Sequence, residues 1–221
     1  MNVSEAVERR RSIRAFRAEA PSASIVRDIL ERAARAPSGG NLQPWRLYAL
    51  GGETLSSFKR LIAQEPAQQE PGYTIYPPNL WEPFKTRRLR NGEDMYATLG
   101  IAREDKAGRM RQLARNAEFF GAPVGVFVCI DRKLGPPQWT DLGMYMQTVM
   151  LLAVEHGLDT CPQEFWAYRS DTVAKFLGLP AELMVFAGIA LGWRDEEAPV
   201  NRLVTERDAF ETWAEMIGFE S

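Results

Sequence analysis

The segment "DLGMYMQTVMLLAVEH", Asp141 to His156, constrains the fold of this chain more than any other stretch. A helix at a protein surface keeps one polar face, yet here Leu142, Met144, Tyr145, Met146, Val149, Met150, Leu151, Leu152, Ala153 and Val154 put apolar groups on nearly every side. Such a helix has to be covered all round, by its own domain or by a second subunit. Two near-continuous apolar runs, "APVGVFVCI" before it and "LMVFAGIALGW" after it, read as buried strands. The longest apolar stretches, such as "GVFVCI" and "MLLAV", fall far short of the roughly 20 residues that a membrane-spanning helix needs.

Around these elements the pattern alternates. Ser4 is placed to cap a short helix running to about Arg10, and Ser22 or Ser24 to cap a second one in which Ile25, Ile29, Leu30, Ala33 and Ala34 recur at helical spacing. "WRLYAL" reads as a strand, Gly51-Gly52 as a turn, and "ETLSSFKRLIAQ" as a helix with Leu55, Phe58, Leu61 and Ile62 on one face. From Glu65 to about Gly108, prolines, aromatics and charges mix, and the expectation is an excursion from the core with only short helical pieces. "GLDTCPQEFW" reads as a loop, "SDTVAKFLGLP" as a helix closed by Gly178 and Pro180, and the polar arm "RDEEAPVNRLVTERDAF" leads to a short helix around Trp213. Strands interleaved with helices give an α/β or α+β sandwich, and 221 residues suit a single domain.

Composition removes several functions. With 27 basic and 29 acidic residues there is no overall field to attract nucleic acid or an anionic membrane, so any anion has to be held by a local cluster. No GxGxxG follows a strand, and neither GxxxxGK[ST] nor GxSxG occurs. The single histidine, His156, ends the apolar helix just before Gly157, where a cation complements the helix dipole; it leaves no room for a usual metal-ligand set. Cys129 and Cys161 are too few for a disulfide framework and read as small hydrophobes, and the N-terminus lacks a secretory apolar core, which points to the cytoplasm. Any enzymatic chemistry must come largely from an organic cofactor, with the protein supplying orientation and charge.

Three segments supply candidates. "RRSIRAF" either leaves its arginines solvated at a helix end or, as an extended segment, turns the alternate residues Arg10, Ser12 and Arg14 to one side, where guanidinium forks and a hydroxyl suit a phosphate. "APSGGNLQPW" either only stops a helix or exposes backbone beside Ser38, Asn41 and Gln43 for a flat heteroaromatic ligand. In "GLDTCPQEFW", Pro162 lacks a donor while Gln163 and Glu164 keep their N–H groups, which can face a ring nitrogen.

Together with the "DLGMYMQTVMLLA" helix and the "FAGIALGW" strand before the polar arm, these segments resemble the FMN-dependent nitroreductase family over roughly residues 4 to 64 and 110 to 210. "YPPNLWEPFKTRRLRNGEDMYATLGI" is most similar to the nitrobenzoate-reductase branch. The resemblance implies an α+β (α/β sandwich) fold, with a central, mostly antiparallel sheet flanked by helices, in a domain-exchanged homodimer with FMN at the interface. It implies one domain over residues 1–221, with the excursion at about 65–108 covering the active site.

Residue by residue, Arg10, Arg11, Ser12 and Arg14 match the segment that holds the FMN phosphate and ribityl chain, and Pro37, Ser38, Gly39 and Asn41 a loop that reaches FMN from the partner subunit. Pro162, Gln163 and Glu164 match the segment along the isoalloxazine, with the backbone of Glu164 at N5. Arg207, or in its place Arg202, matches a late basic residue on the phosphate. Arg111, Gln112, Arg115 and Asn116 are the candidates to face the pyrimidine side of the flavin.

The implied activity is ping-pong hydride transfer from NADH or NADPH to a nitroaromatic or quinone acceptor, with no side chain acting as nucleophile. Activated alkenes or halogenated aromatics are the alternative acceptors, and a non-catalytic flavin-binding module the alternative function. Tyr76, Trp81, Phe84 and Tyr96 offer stacking surfaces for the acceptor, and Arg88, in the run Lys85, Arg87, Arg88 and Arg90, offers charge.

Overall fold

The computed structural model describes residues 1–65 and 72–219. Helix α1 spans Val3–Arg9 and is capped by Asn2, not by Ser4. The Asn2 side chain accepts from the Glu5 N–H at 2.9 Å and the Glu5 carboxylate accepts from the Asn2 N–H at 3.0 Å, so two otherwise orphaned donors are satisfied reciprocally, which Ser4 has no partner to do. Ser22 caps α2, Ala23–Ala33, through the Ile25 N–H. Strand β1, Arg46–Gly51, leads into α3, Gly52–Ile62, which buries Leu55, Phe58 and Ile62.

The excursion differs from its expectation. It contains α4, Phe84–Thr98, and α5, Lys106–Ala114, together with residues 66–71, which lie outside the described residues. α4 buries none of its residues, so no apolar period announces it; ionic contacts hold it, including a bidentate pair from Arg109 of α5 to Glu93 at 2.7 and 2.8 Å.

Strand β2, Val124–Asp131, is followed by α6, Pro136–Glu155, which begins a turn earlier than its apolar run because Pro136 suits a first helical turn. Strand β3, Asp159–Gln163, then α7, Ser170–Leu177, and β4, Leu183–Gly192, complete the elements. The sheet order is β1-β2-β4-β3 with every pair antiparallel, so the apolar strands β2 and β4 are central. One face packs Val126, Val128, Ile189 and Leu191 against Ile29 of α2 and Tyr145 and Val149 of α6. The other packs Phe127 and Ala190 against Phe58 of α3, Phe119 and Trp166. The α6 C-cap residue His156 approaches Asp28 of α2 at 3.1 Å.

The segment expected as a loop after α6 is largely β3. Pro162 hides it from a sequence reading, yet proline is tolerated because β3 is the last strand of the sheet. Its outer side receives the N-terminal segment: Ser12 forms a parallel bridge with Thr160, and the Ile13 N–H donates to the Thr160 carbonyl at 2.9 Å. No helix among the described residues is long and apolar enough to cross a membrane.

Candidate active site

The bridge between Ser12 and Thr160 brings two of the three candidate segments side by side. Arg10, Arg11, Ser12 and Arg14 line a cavity of about 770 Å³, together with Asn91 of α4, Gln147 of α6 and the stretch Leu203 to Arg207. Within the arm, Arg207 lines this cavity and Arg202 does not. Arg10 is half-buried, and its guanidinium is held below its ordinary value by burial and then by the nearby Arg207 cation. Arg207 is in turn oriented by the Thr205 hydroxyl and the Glu206 carbonyl, both at 2.8 Å.

Buried Asn201 sets the path of the arginine segment. Its Oδ1 accepts from the Arg14 N–H at 2.9 Å, while its Nδ2 donates to the carbonyls of Ala15 and Asp195 at 2.8 and 2.9 Å. Cys161 lies within the field of Arg14 and Arg10, but complete burial dominates and pushes its thiol up to about 11. It is a packing residue of the core.

At the far end of β3 the side chain of Gln163 is buried and committed. Its Nε2 donates to the Asn116 carbonyl and Oδ1, both at 3.0 Å, and its Oε1 accepts from Trp166 Nε1 at 3.2 Å. That leaves the backbone around Gln163 and Glu164, rather than the glutamine amide, as the group available to a ligand. Asn116 is occupied by the same contact, Arg115 donates to the Phe120 carbonyl at 3.4 Å, and exposed Arg111 lies 3.9 Å from Asp105. Of the four candidates for the pyrimidine side, Gln112 is the one whose side chain holds a fully buried donor, Nε2, with no hydrogen-bond partner among the described residues. A buried amide left so is costly, by about 1–3 kcal/mol, unless a ligand or water satisfies it.

The excursion reaches the same end. The Arg88 guanidinium lies 4.2 Å from the centre of the Tyr76 ring, and burial raises both Tyr73 and Tyr76, with the Glu164 carboxylate adding to the shift. Trp81 and Phe84 pair with each other, 5.6 Å apart and exposed, and Tyr96 lies under Arg109 at 4.3 Å. The basic run is not a set of free cations, as its sequence suggests: Arg87 pairs with Asp208 and Arg90 with Glu206 at 3.1 Å. These acids lie more than a hundred residues away in the arm, so only the fold brings them to α4.

Pro37, Ser38, Gly39 and Asn41 are not among the residues lining the arginine cavity of their own chain. The Gly39 N–H donates to both Asp141 oxygens at 3.3 Å, the Ser38 hydroxyl accepts from the Gln43 N–H at 3.0 Å, and Gly40 and Asn41 are both left-handed at φ 56°. This pins the loop to the start of the apolar part of α6. Gln147 joins the cavity without having been a candidate, although an amide inside so apolar a segment is itself a signal. Asn91 and Thr205 carry no local signal.

The family model for the nitroreductase family matches residues 7–193. The chain is 36% identical over 205 residues to nitrobenzene nitroreductase of Ectopseudomonas oleovorans, covering 91% of this chain and 90% of that one. It is 35% identical over 216 residues to 4-nitrobenzoate reductase of Pseudomonas putida, covering 97% and 95%. Among solved structures, the FMN and NADPH-dependent nitroreductase NfnB from sphigopyxis sp. strain HMH superposes with a TM-score of 0.95 at 46% identity, covering 99% of this chain and 100% of that one. The FMN-dependent nitroreductase NfnB from Mycobacterium smegmatis, in complex with NADPH, superposes with a TM-score of 0.90 at 27% identity, covering 97% of each chain. On the family match and these relatives together, the chain belongs to the nitroreductase family.

Proposed function

We propose that the chain is an FMN-dependent oxidoreductase that uses NADH or NADPH to reduce nitroaromatic compounds. The observation that carries this reading is the convergence of Arg10, Ser12, Arg14 and Arg207 on one cavity beside β3. Three guanidiniums and a hydroxyl fit the phosphate of FMN, and Ser12 is bridged to Thr160 of β3, the strand that ends at the Gln163 and Glu164 backbone, whose N–H groups suit a flavin edge. When bound, FMN supplies the two-electron carrier between the nicotinamide donor and the acceptor. The Glu164 N–H is the donor for the N5 side. Gln112, with its unpartnered amide, is the donor for the pyrimidine side, where it stabilises negative charge on the reduced ring.

The single-domain reading of residues 1–221 stands with this proposal, the excursion forming the cover over the acceptor end. The relatives named for nitrobenzene and 4-nitrobenzoate favour a nitro acceptor over an activated alkene, a halogenated aromatic or a quinone. Its location is read as cytoplasmic, in keeping with two free, buried thiols. The test is product analysis with NADPH and each acceptor class: conversion of nitrobenzene or 4-nitrobenzoate well above the others supports the reading, and conversion of only the others contradicts it.

Two further features bear on acceptor and assembly. With Arg87 and Arg90 paired, Arg88 is the cation of the run beside Tyr76 and Glu164. Arg88→Ala is therefore expected to lower kcat/KM for 4-nitrobenzoate about tenfold more than for its neutral amide, while Arg87→Ala lowers both alike; equal effects of Arg88→Ala on acid and amide would contradict this.

The homodimer is supported by unmatched apolar surface. Trp213, Met216, Ile217 and Phe219 of the C-terminal tail are exposed, and an apolar groove of about 760 Å³ runs along the outer strand β1, lined by Pro21, Val26, Leu30, Ala49 and Val124. Exchange of tails between two copies covers both. Sedimentation is expected to give a dimer at micromolar concentration, and Trp213→Glu with Ile217→Glu to weaken it; a stable wild-type monomer carrying FMN would refute the exchange.

A further inference from the structure

The stretch of the arm that carries Arg207 has little support from its own backbone. Among the described residues, no backbone-to-backbone hydrogen bond includes residues 204–208. The Arg207 guanidinium donates to the Thr205 hydroxyl and the Glu206 carbonyl, both at 2.8 Å, and to the Thr205 carbonyl at 3.3 Å, all within the arm itself. Its direction is therefore set by the path of the arm. What ties that path to the rest of the fold is α4: Glu206 pairs with Arg90 at 3.1 Å, and Asp208 pairs with Arg87.

The spacing on both partners fits a grip. Glu206 and Asp208 reach α4, and Arg207, between them, lines the cavity. On α4, Arg87 lies three residues before Arg90 and four before Asn91, so the three share one helix face, and Asn91 lines the same cavity. The grip also works against a force. Arg10 and Arg207 are like charges close enough to act on each other, and their repulsion favours an arm that carries Arg207 away from the cavity.

We infer that Arg87 and Arg90 of α4, through their pairs with Asp208 and Glu206, are positioning residues that hold Arg207 toward the phosphate of FMN, an inference that rests on the FMN reading of the same cavity. Neither Arg87 nor Arg90 lines that cavity, so their contribution passes through the arm. The four side chains are between 38 and 74% exposed, which keeps each pair weak and the expected effect modest. The next residue of the helix, Arg88, covers Tyr76, so α4 serves the phosphate and the acceptor end together.

The experiment measures the Kd of the full-length apoprotein for FMN and for riboflavin, which lacks the phosphate. Glu206→Ala with Asp208→Ala is expected to bind FMN about fivefold more weakly and riboflavin as the wild type does. A diffuse field predicts the opposite sign, because these substitutions remove negative charge from beside an anion. In an Arg207→Ala background the same two substitutions are expected to change nothing further. Arg87→Asp alone is expected to weaken FMN binding, and Asp208→Arg added to it to restore the wild-type Kd. Unchanged or tighter FMN binding without the acids would overturn the inference, as would an equal loss for riboflavin or a loss that persists without Arg207. A wild-type protein that binds FMN no tighter than riboflavin would instead overturn the phosphate reading of the cavity, and this inference with it.

Discussion

Arg14→Ala is expected to purify with little FMN, while Arg9→Ala stays fully loaded. Arg14 lines the cavity with Arg10, Ser12 and Arg207, whereas Arg9 faces a separate cavity beside the Asp159–Arg194 pair. Truncating one partner of a hydrogen-bonded charge pair at a desolvated site costs about 2–5 kcal/mol, and half-buried Arg14 belongs at the lower end, roughly 30- to 100-fold in Kd. Its backbone N–H, which bonds Asn201, survives the substitution, so the fold holds and the melting temperature of the apoprotein changes little. The check is the Kd of apoprotein for FMN, read from quenching of flavin fluorescence. Equal weakening by both substitutions would show a diffuse charge effect in place of a defined phosphate site.

Gly188→Ala is expected to be the most damaging single methyl group. Gly188 lies on β4 opposite both Phe127 and Gln163, and a Cβ there would overlap the ring of fully buried Trp166. Trp166 is packed between Phe58, Phe119 and Phe127, so the ring has nowhere to go. Overpacking of this kind costs about 3 kcal/mol, or roughly 6–12 °C in Tm for a chain of this size. Displacing Trp166 also disturbs its bond to Gln163, and with it the peptide of Glu164, so FMN binding should weaken alongside. Gly125→Ala offers a milder comparison, its Cβ meeting the Phe119 ring at 2.6 Å. A Gly188→Ala protein that melts with the wild type would contradict the rigidity assigned to this layer.

Legibility in the sequence follows the length and purity of the local signal. β2, β4 and α6 are plain because long apolar runs can only be buried, and burial of apolar surface is the main driving force of folding. α4 is not, since it buries nothing and is held by Arg87 to Asp208, Arg90 to Glu206 and Glu93 to Arg109, partners that only the tertiary fold supplies. β3 reads as a loop because Pro162 is a strand breaker except at a sheet edge, and which strand is an edge is a matter of topology.

The alternation of Arg10, Ser12 and Arg14 can be read directly, and those residues do line one cavity. The choice of Arg207 over Arg202 cannot, because it depends on how the arm turns at Asn201. The four residues offered for the pyrimidine side are equivalent as letters. They part only when the fold assigns partners to Arg111, Arg115 and Asn116 and none to the Gln112 amide.

The most direct test of the central claim, that this chain carries electrons from NAD(P)H to a nitroaromatic through FMN, is an anaerobic titration of the purified protein followed in the visible flavin bands. The protein is expected to be yellow with one FMN per subunit, to bleach on addition of about one equivalent of NADPH or NADH, and to recover its colour when nitrobenzene is added. A colourless protein that cannot be reconstituted with FMN, or a flavin that stays oxidised in excess of both donors, would contradict it.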